Sequence, residues 1–211
     1  AAPDGSPRAI SAWLKAGDIW ENKANDPARA LAAHRYAADS DSIPALEAVA
    51  RLARQLDHAA EAARALEQLV AHAGSRAPIE RVIELVDAYL ASGDLGRARL
   101  RLESTLQAAW HSEVDQRLES LYRRIQQWSE LVNLLKMRAA RQEDTSARID
   151  LLREAAALQK SRLNDHTAAA ATLTEALNLD PERNELQLEL ARTCATAGQY
   201  DRAVALLEKL I

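Results

Sequence analysis

The chain has no phenylalanine, a single cysteine, one methionine, and only six glycines and six prolines in 211 residues. One thiol, Cys194, excludes an internal disulfide framework. Its apolar helical context makes it a small core residue rather than a nucleophile. Aromatics are only 4 % of the chain, and Val, Ile and Thr are sparse. A β-sandwich or a parallel sheet would need many more of both. No stretch approaches the roughly 18 apolar residues that cross a membrane, so no membrane insertion is expected. An excess of basic charge is also missing. Lys and Arg number 27 against 31 Asp and Glu, giving a net charge of −4. The bases are interspersed with acids, whereas a nucleic-acid footprint needs them clustered. Arg123-Arg124 and the Arg51/Arg54 face are local basic pairs, and both read first as solvated helix faces. No nucleic-acid partner is expected.

Signs of chemistry are missing as well. There is no glycine-rich phosphate loop, because Gly93-Asp94-Leu95-Gly96 reads as a helix turn. His34, His58, His72, His111 and His166 are scattered, and none is paired at the i, i+4 spacing of a metal site. The acid pairs Glu61/Glu67 and Asp115/Glu119 read as solvated faces of amphipathic helices. The expectation is therefore no catalytic, cofactor-binding or metal site, and no enzyme.

What is abundant is alanine and leucine, the composition of closely packed helices. The end of the chain shows how they are arranged. Residues 165–181 read DHTAAAATLTEALNLDP and residues 199–210 read QYDRAVALLEKL. Each carries a triplet spaced by four and then three: Ala169, Leu173, Ala176 and Ala203, Leu207, Leu210. The same triplet recurs upstream as Ala30, His34, Ala37, then Ala62, Leu66, Leu69, then Ala98, Leu102, Thr105, then Leu131, Leu135, Arg138. The intervals of 32, 36, 33, 38 and 34 residues are those of a structural repeat. A turn signal precedes each triplet: Asn25-Asp26-Pro27, Asp57-His58, Gly93-Asp94-Leu95, Gln127-Trp128, Asn164-Asp165 and Gly198-Gln199-Tyr200. Before each turn lies an apolar stripe of helical period, such as Val82, Leu85, Val86 and Tyr89.

These features resemble the tetratricopeptide repeat family over residues 9–211. The resemblance implies an all-α, right-handed superhelix, a solenoid of about six antiparallel helix pairs. The repeats fall at about 9–42, 43–78, 79–111, 112–145, 146–183 and 184–211, with 1–8 a linker or cloning remnant. Two departures stand out. Arg138 replaces the family's small residue in the fourth repeat, which puts regular packing of that pair in question. His34 takes a position where leucine is usual, and is expected to be a partly buried, hydrogen-bonded histidine.

The resemblance also implies a protein–protein interaction scaffold that binds a partner peptide or protein along a concave groove lined by the first helix of each pair. Transferred by register, the groove residues are Glu47, Arg51, Arg54, Ile83, Asp87, Gln116, Ser120, Arg123, Arg124, Leu152, Leu188 and Arg192. The Lys/Asn set with which some relatives clamp a peptide carboxylate is missing. An alternative reading is an accessory repeat region of a larger enzyme or of a bacterial envelope or exopolysaccharide secretion assembly. Of the four tryptophans, Trp110 and Trp128 read as packing residues, and Trp13 and Trp20 are candidate contact aromatics. The last segment, Asp201 to Ile211, is apolar nearly all round. Self-association through this uncapped C-terminal helix is therefore expected, as is continuation of the native chain. Heavy use of Ala, and of Arg over Lys, fits a GC-rich bacterial genome.

Overall fold

The computed structural model describes residues 6–210. The expected linker at 1–8 lies mostly outside them, as does Ile211. Among the described residues there are twelve α-helices and no strand. The chain divides into two compact units, 1–114 and 115–211. The first holds three helix pairs: α1 (Pro7–Asn22) with α2 (Pro27–Ala38), α3 (Ile43–Gln55) with α4 (Ala59–Ala73), and α5 (Ile79–Ala91) with α6 (Leu95–Ala108). The second holds α7 (Ser112–Arg124), whose first turn straddles the division, with α8 (Trp128–Arg141), α9 (Thr145–Ser161) with α10 (His166–Leu177), and α11 (Asn184–Thr196) with α12 (Tyr200–Glu208). Within each unit a helix packs on its sequence neighbours, α1 on α2 and α2 on α3, α9 on α10 and α10 on α11. This is the nearest-neighbour stacking of a repeat fold, in which no pair buries its apolar face alone.

The six turns inside the pairs share one backbone device. In each, the residue just before the second helix's cap is left-handed: Asn25, Asp57, Gly93, Gln126, Asn164 and Gly198, with φ between 52° and 79°. That residue lets the chain reverse within three or four residues. Glycine takes this conformation freely, whereas Gln126 adopts it at a cost of about 1–2 kcal/mol. The second helix then starts under a cap. Asp26, Asp94 and Asp165 accept hydrogen bonds from the backbone N–H of Arg29, Arg97 and Ala168 at 3.0, 3.0 and 2.8 Å.

The triplets are the core. Ala62, Leu66 and Leu69 are buried in the first unit, and Ala169, Leu173 and Ala176 in the second. Leu173 packs with Leu190 and Cys194, so the cysteine is a core residue. On α12 the pattern opens. Ala203 is buried, but Tyr200, Val204 and Leu207 are exposed.

Repeat four solves its arginine by pairing. Arg138 Nε donates to Asp115 at 2.8 Å and its terminal nitrogen to Glu119 at 2.8 Å. Both acceptors lie one turn apart on α7. Asp115 is only 5 % exposed. The expectation that Asp115/Glu119 is a solvated face is thus corrected, because these acids fill the space facing Arg138 and neutralise it. Burial pushes the Asp115 carboxyl above its ordinary value even with the guanidinium beside it. Burial also opposes ionisation of Glu119, but hydrogen bonds from Arg138 and Arg123 outweigh it and hold that group low.

Candidate functional site: clefts on the first helices

In the first unit a cleft of about 600 Å³ opens on the face formed by α1, α3 and α5. Helical spacing places its walls. Leu14 and Asp18 are one turn apart on α1, as are Glu47, Arg51 and Arg54 on α3, and Arg81 and Glu84 on α5. Ion pairs step across these helices. Arg51 holds Glu21 with both terminal nitrogens. Arg81 donates to Glu47 at 3.0 Å. Arg54 lies 3.8 Å from Glu84. The hydrogen bond from Arg51 keeps the Glu21 carboxyl below its ordinary value. All these groups face water, so each pair contributes about 0–1 kcal/mol. Their larger effect is on charge. Arg51 and Arg54, two of the expected groove residues, and Arg81 are each met by an acid from another first helix.

The floor of this cleft includes His34, which reaches it from α2. The side chain is 2 % exposed, and neither ring nitrogen has a hydrogen-bond partner among the described residues. The expected hydrogen-bonded, partly buried histidine is therefore corrected on both counts. Desolvation is the largest influence on the ring and lowers its pKa, with Asp18 and Glu21 opposing and Arg51 assisting. The balance favours the neutral imidazole.

In the second unit a cleft of about 540 Å³ lies along α9 and α11. Glu189 accepts from both Arg153 and Lys160 at 3.0 Å. Burial works against its ionisation, but these two bonds prevail and hold its pKa low. Leu188 and Arg192 line the same cleft and are exposed. On α7, Gln116, Ser120, Arg123 and Arg124 are all exposed. Arg123 is held by Glu119 at 3.0 Å and by Glu154 of α9.

Ten of the twelve expected groove residues thus lie at the surface, Asp87 among them. Ile83 and Leu152 do not. Ile83 is 9 % and Leu152 4 % exposed, and Leu152 packs with Ile149, Ala176 and Leu186. A first helix is gripped on two sides in such a stack, so a transferred register position can turn inward. Trp13, 36 % exposed, stacks on Tyr36 at 4.6 Å, and the Arg29 guanidinium sits 4.8 Å above Trp20. Sequence reasoning missed that His34 reaches the cleft. The available signal was Gly17, the only glycine inside α1, opposite it.

Among the described residues no cluster of His, Cys, Asp and Glu could hold a metal ion, and no helix is long and apolar enough to cross a membrane.

Comparison with known proteins bears on the repeat. The tetratricopeptide repeat family model matches residues 162–211. No curated protein matches the chain in sequence. Among solved structures, a chain of the Naa15/Naa10 complex bound to HypK-THB aligns with a TM-score of 0.55 at 17 % identity, over 93 % of this chain and 31 % of that one. A TPR repeats protein from Bacteroides fragilis aligns with a TM-score of 0.55 at 13 % identity, over 88 % of this chain and 98 % of that one. At such identities the likeness concerns the fold. This chain also spans less than a third of the Naa15-complex chain. Residues 162–211 thus carry the tetratricopeptide repeat signature, and the chain shares the helix-pair fold of solved tetratricopeptide repeat structures.

Proposed function

We propose that this chain is a scaffold that holds a partner protein or peptide against the face formed by the first helices of its pairs. Tetratricopeptide repeats generally mediate protein–protein interaction and are typically non-catalytic. The observation that carries the reading is the open cleft of about 600 Å³ on α1, α3 and α5, walled by ion pairs that run from helix to helix. Those pairs set the side chains in fixed positions, so less side-chain freedom is lost when a partner docks. The near-balance of charge along the cleft disfavours polyanions and suits a mixed polypeptide surface.

The test is affinity capture with the whole chain beside Arg54→Glu and Arg192→Glu, one variant for each unit's cleft. Both side chains are exposed, so both variants should fold. The expected result is a protein retained by the parent chain and lost, at least tenfold, from one variant or both. Capture that is equal in all three places binding elsewhere and refutes this face as the docking surface.

A further inference from the structure

The first repeat departs from the other five at two facing positions. Aligned on the second helices, His34 stands where the chain elsewhere has Leu66, Leu102, Leu135, Leu173 and Leu207. The backbone bond that closes each inner turn aligns the first helices. Asp26 N–H donates to Trp20 O, as His58 donates to Ala53, Asp94 to Tyr89, Gln127 to Tyr122, Asp165 to Gln159 and Gln199 to Cys194. Three residues before each acceptor come Gly17, Ala50, Val86, Glu119, Ala156 and Ala191. Only the first repeat has glycine there, and the two departures fit each other. A Cβ at Gly17 would come 2.3 Å from His34 Nε2, so the ring fills the space that every other repeat gives to a side chain. Gly17 is a window through which a second-helix residue reaches the cleft floor.

This arrangement is unfavourable for folding alone. A buried polar atom without a partner costs about 1–3 kcal/mol, and His34 has two. Leucine, which the scaffold uses at the other five positions, carries no such cost. The cleft above also selects against charge. Arg51, Arg54 and Arg81 are each held by an acid, so a charged guest must break a pair to be matched. A neutral imidazole donates from one nitrogen and accepts at the other. Burial is the largest influence favouring its neutral form, and the charged groups facing it are Asp18 and Glu21 on α1 and Arg51 on α3.

We infer that the Gly17 window and His34 form a subsite of the partner-binding cleft that takes an uncharged hydrogen-bonding side chain of a peptide, a carboxamide such as that of Asn or Gln. The inference rests on the scaffold reading and adds what this end of the cleft selects. A carboxamide offers both an N–H and a carbonyl, so it can donate to the imidazole or accept from it and leaves the surrounding ion pairs intact.

The test uses three small probes, propionamide, acetate and n-butylammonium, each titrated into the whole chain. The readout is the imidazole nitrogen resonances, with His34 assigned by its loss in His34→Leu, and the backbone amide resonance of Gly17, which also reports binding in that variant. The amide probe is expected to shift the His34 ring and the Gly17 amide with millimolar affinity, and acetate and the ammonium probe to leave them unmoved. Gly17→Ala closes the window and should weaken the amide at least tenfold. His34→Leu should abolish amide binding and raise the unfolding midpoint, the opposite of what loss of a merely structural residue does. A His34 ring that responds to no probe, or more strongly to a charged one, overturns the inference. So does amide binding that survives His34→Leu undiminished. If a protein is captured through the cleft while the amide fails to bind, this subsite is wrong and the scaffold reading stands. Loss of capture with the amide still binding means the reverse.

Discussion

Removing Arg138 should be among the most damaging single changes available in the second unit. Its guanidinium is matched by Asp115 and Glu119 at 2.8 Å each, and the Asp115 side chain is only 7 % exposed. In Arg138→Ala the arginine leaves, and the buried carboxylate loses its hydrogen-bonded counter-charge and keeps only the Coulomb attraction of Arg141. Breaking a buried pair in this way costs about 3–5 kcal/mol. Arg138 and Glu119 keep 25 % and 22 % of their side-chain surface, so water can re-enter and the lower end, about 3 kcal/mol, applies. Urea unfolding followed by circular dichroism measures it. The cost should also depend on pH. Burial already raises the Asp115 pKa with the arginine present, and without it the folded-state pKa climbs further. A carboxyl whose folded pKa exceeds its unfolded one favours the folded state when protonated, and that advantage is lost as pH rises through the folded value. The Arg138→Ala deficit should therefore shrink between pH 7 and pH 5. Replacing all three by apolar residues, Asp115→Leu/Glu119→Ala/Arg138→Leu, removes the buried charge altogether and should restore most of the loss. A deficit below about 1 kcal/mol at pH 7, or one that does not change with pH, would refute the account of Asp115 as a buried, charge-dependent partner.

Other consequences follow from the same structure. Leu173 and Leu207 hold the same repeat position, yet Leu173 is fully buried and Leu207 is 42 % exposed. Leu173→Ala should cost about 2–5 kcal/mol and Leu207→Ala well under half of that, read from paired denaturant curves. Gln126 is left-handed at φ 58°, so Gln126→Gly should raise stability by about 1 kcal/mol, where Gly198→Gln should lower it. Burial, and then a hydrogen bond with Glu67, push Tyr89 up to about 12. In a spectrophotometric titration a step of tyrosine ionisation at that pH should be lost in Tyr89→Phe.

The Gln126 turn illustrates how well local structure can be read from this chain. Asn25, Gly93, Asn164 and Gly198 are residues that accept a left-handed backbone, and their positions mark four of the six inner turns outright. Asp57 and Gln126 are weaker signals. There the turn is enforced by the helices it joins, whose buried triplets must face each other. The groove was less legible. Glu47, Arg51 and Arg54 reach the surface as their helical spacing requires, but which acid would meet each arginine depends on the neighbouring helix, some thirty residues away in sequence. Ile83 and Leu152 were misplaced for the same reason, since the direction a first helix turns is set by the helices on either side of it. Asp115 looked like a solvated acid because nothing local announces Arg138, 23 residues later.

The sequence by itself therefore determined the all-α class, the six pairs and the turns inside them. All of these follow from periodicity and backbone preference within one repeat. Only the tertiary structure decided which polar groups are buried, which charges cancel and where the clefts open. It paired Arg138 with Asp115, and it laid His34 against Gly17 at the floor of a cleft. Burial and Coulomb interaction depend on distance in space, and a repeat fold brings together residues that its own sequence keeps a helix or more apart.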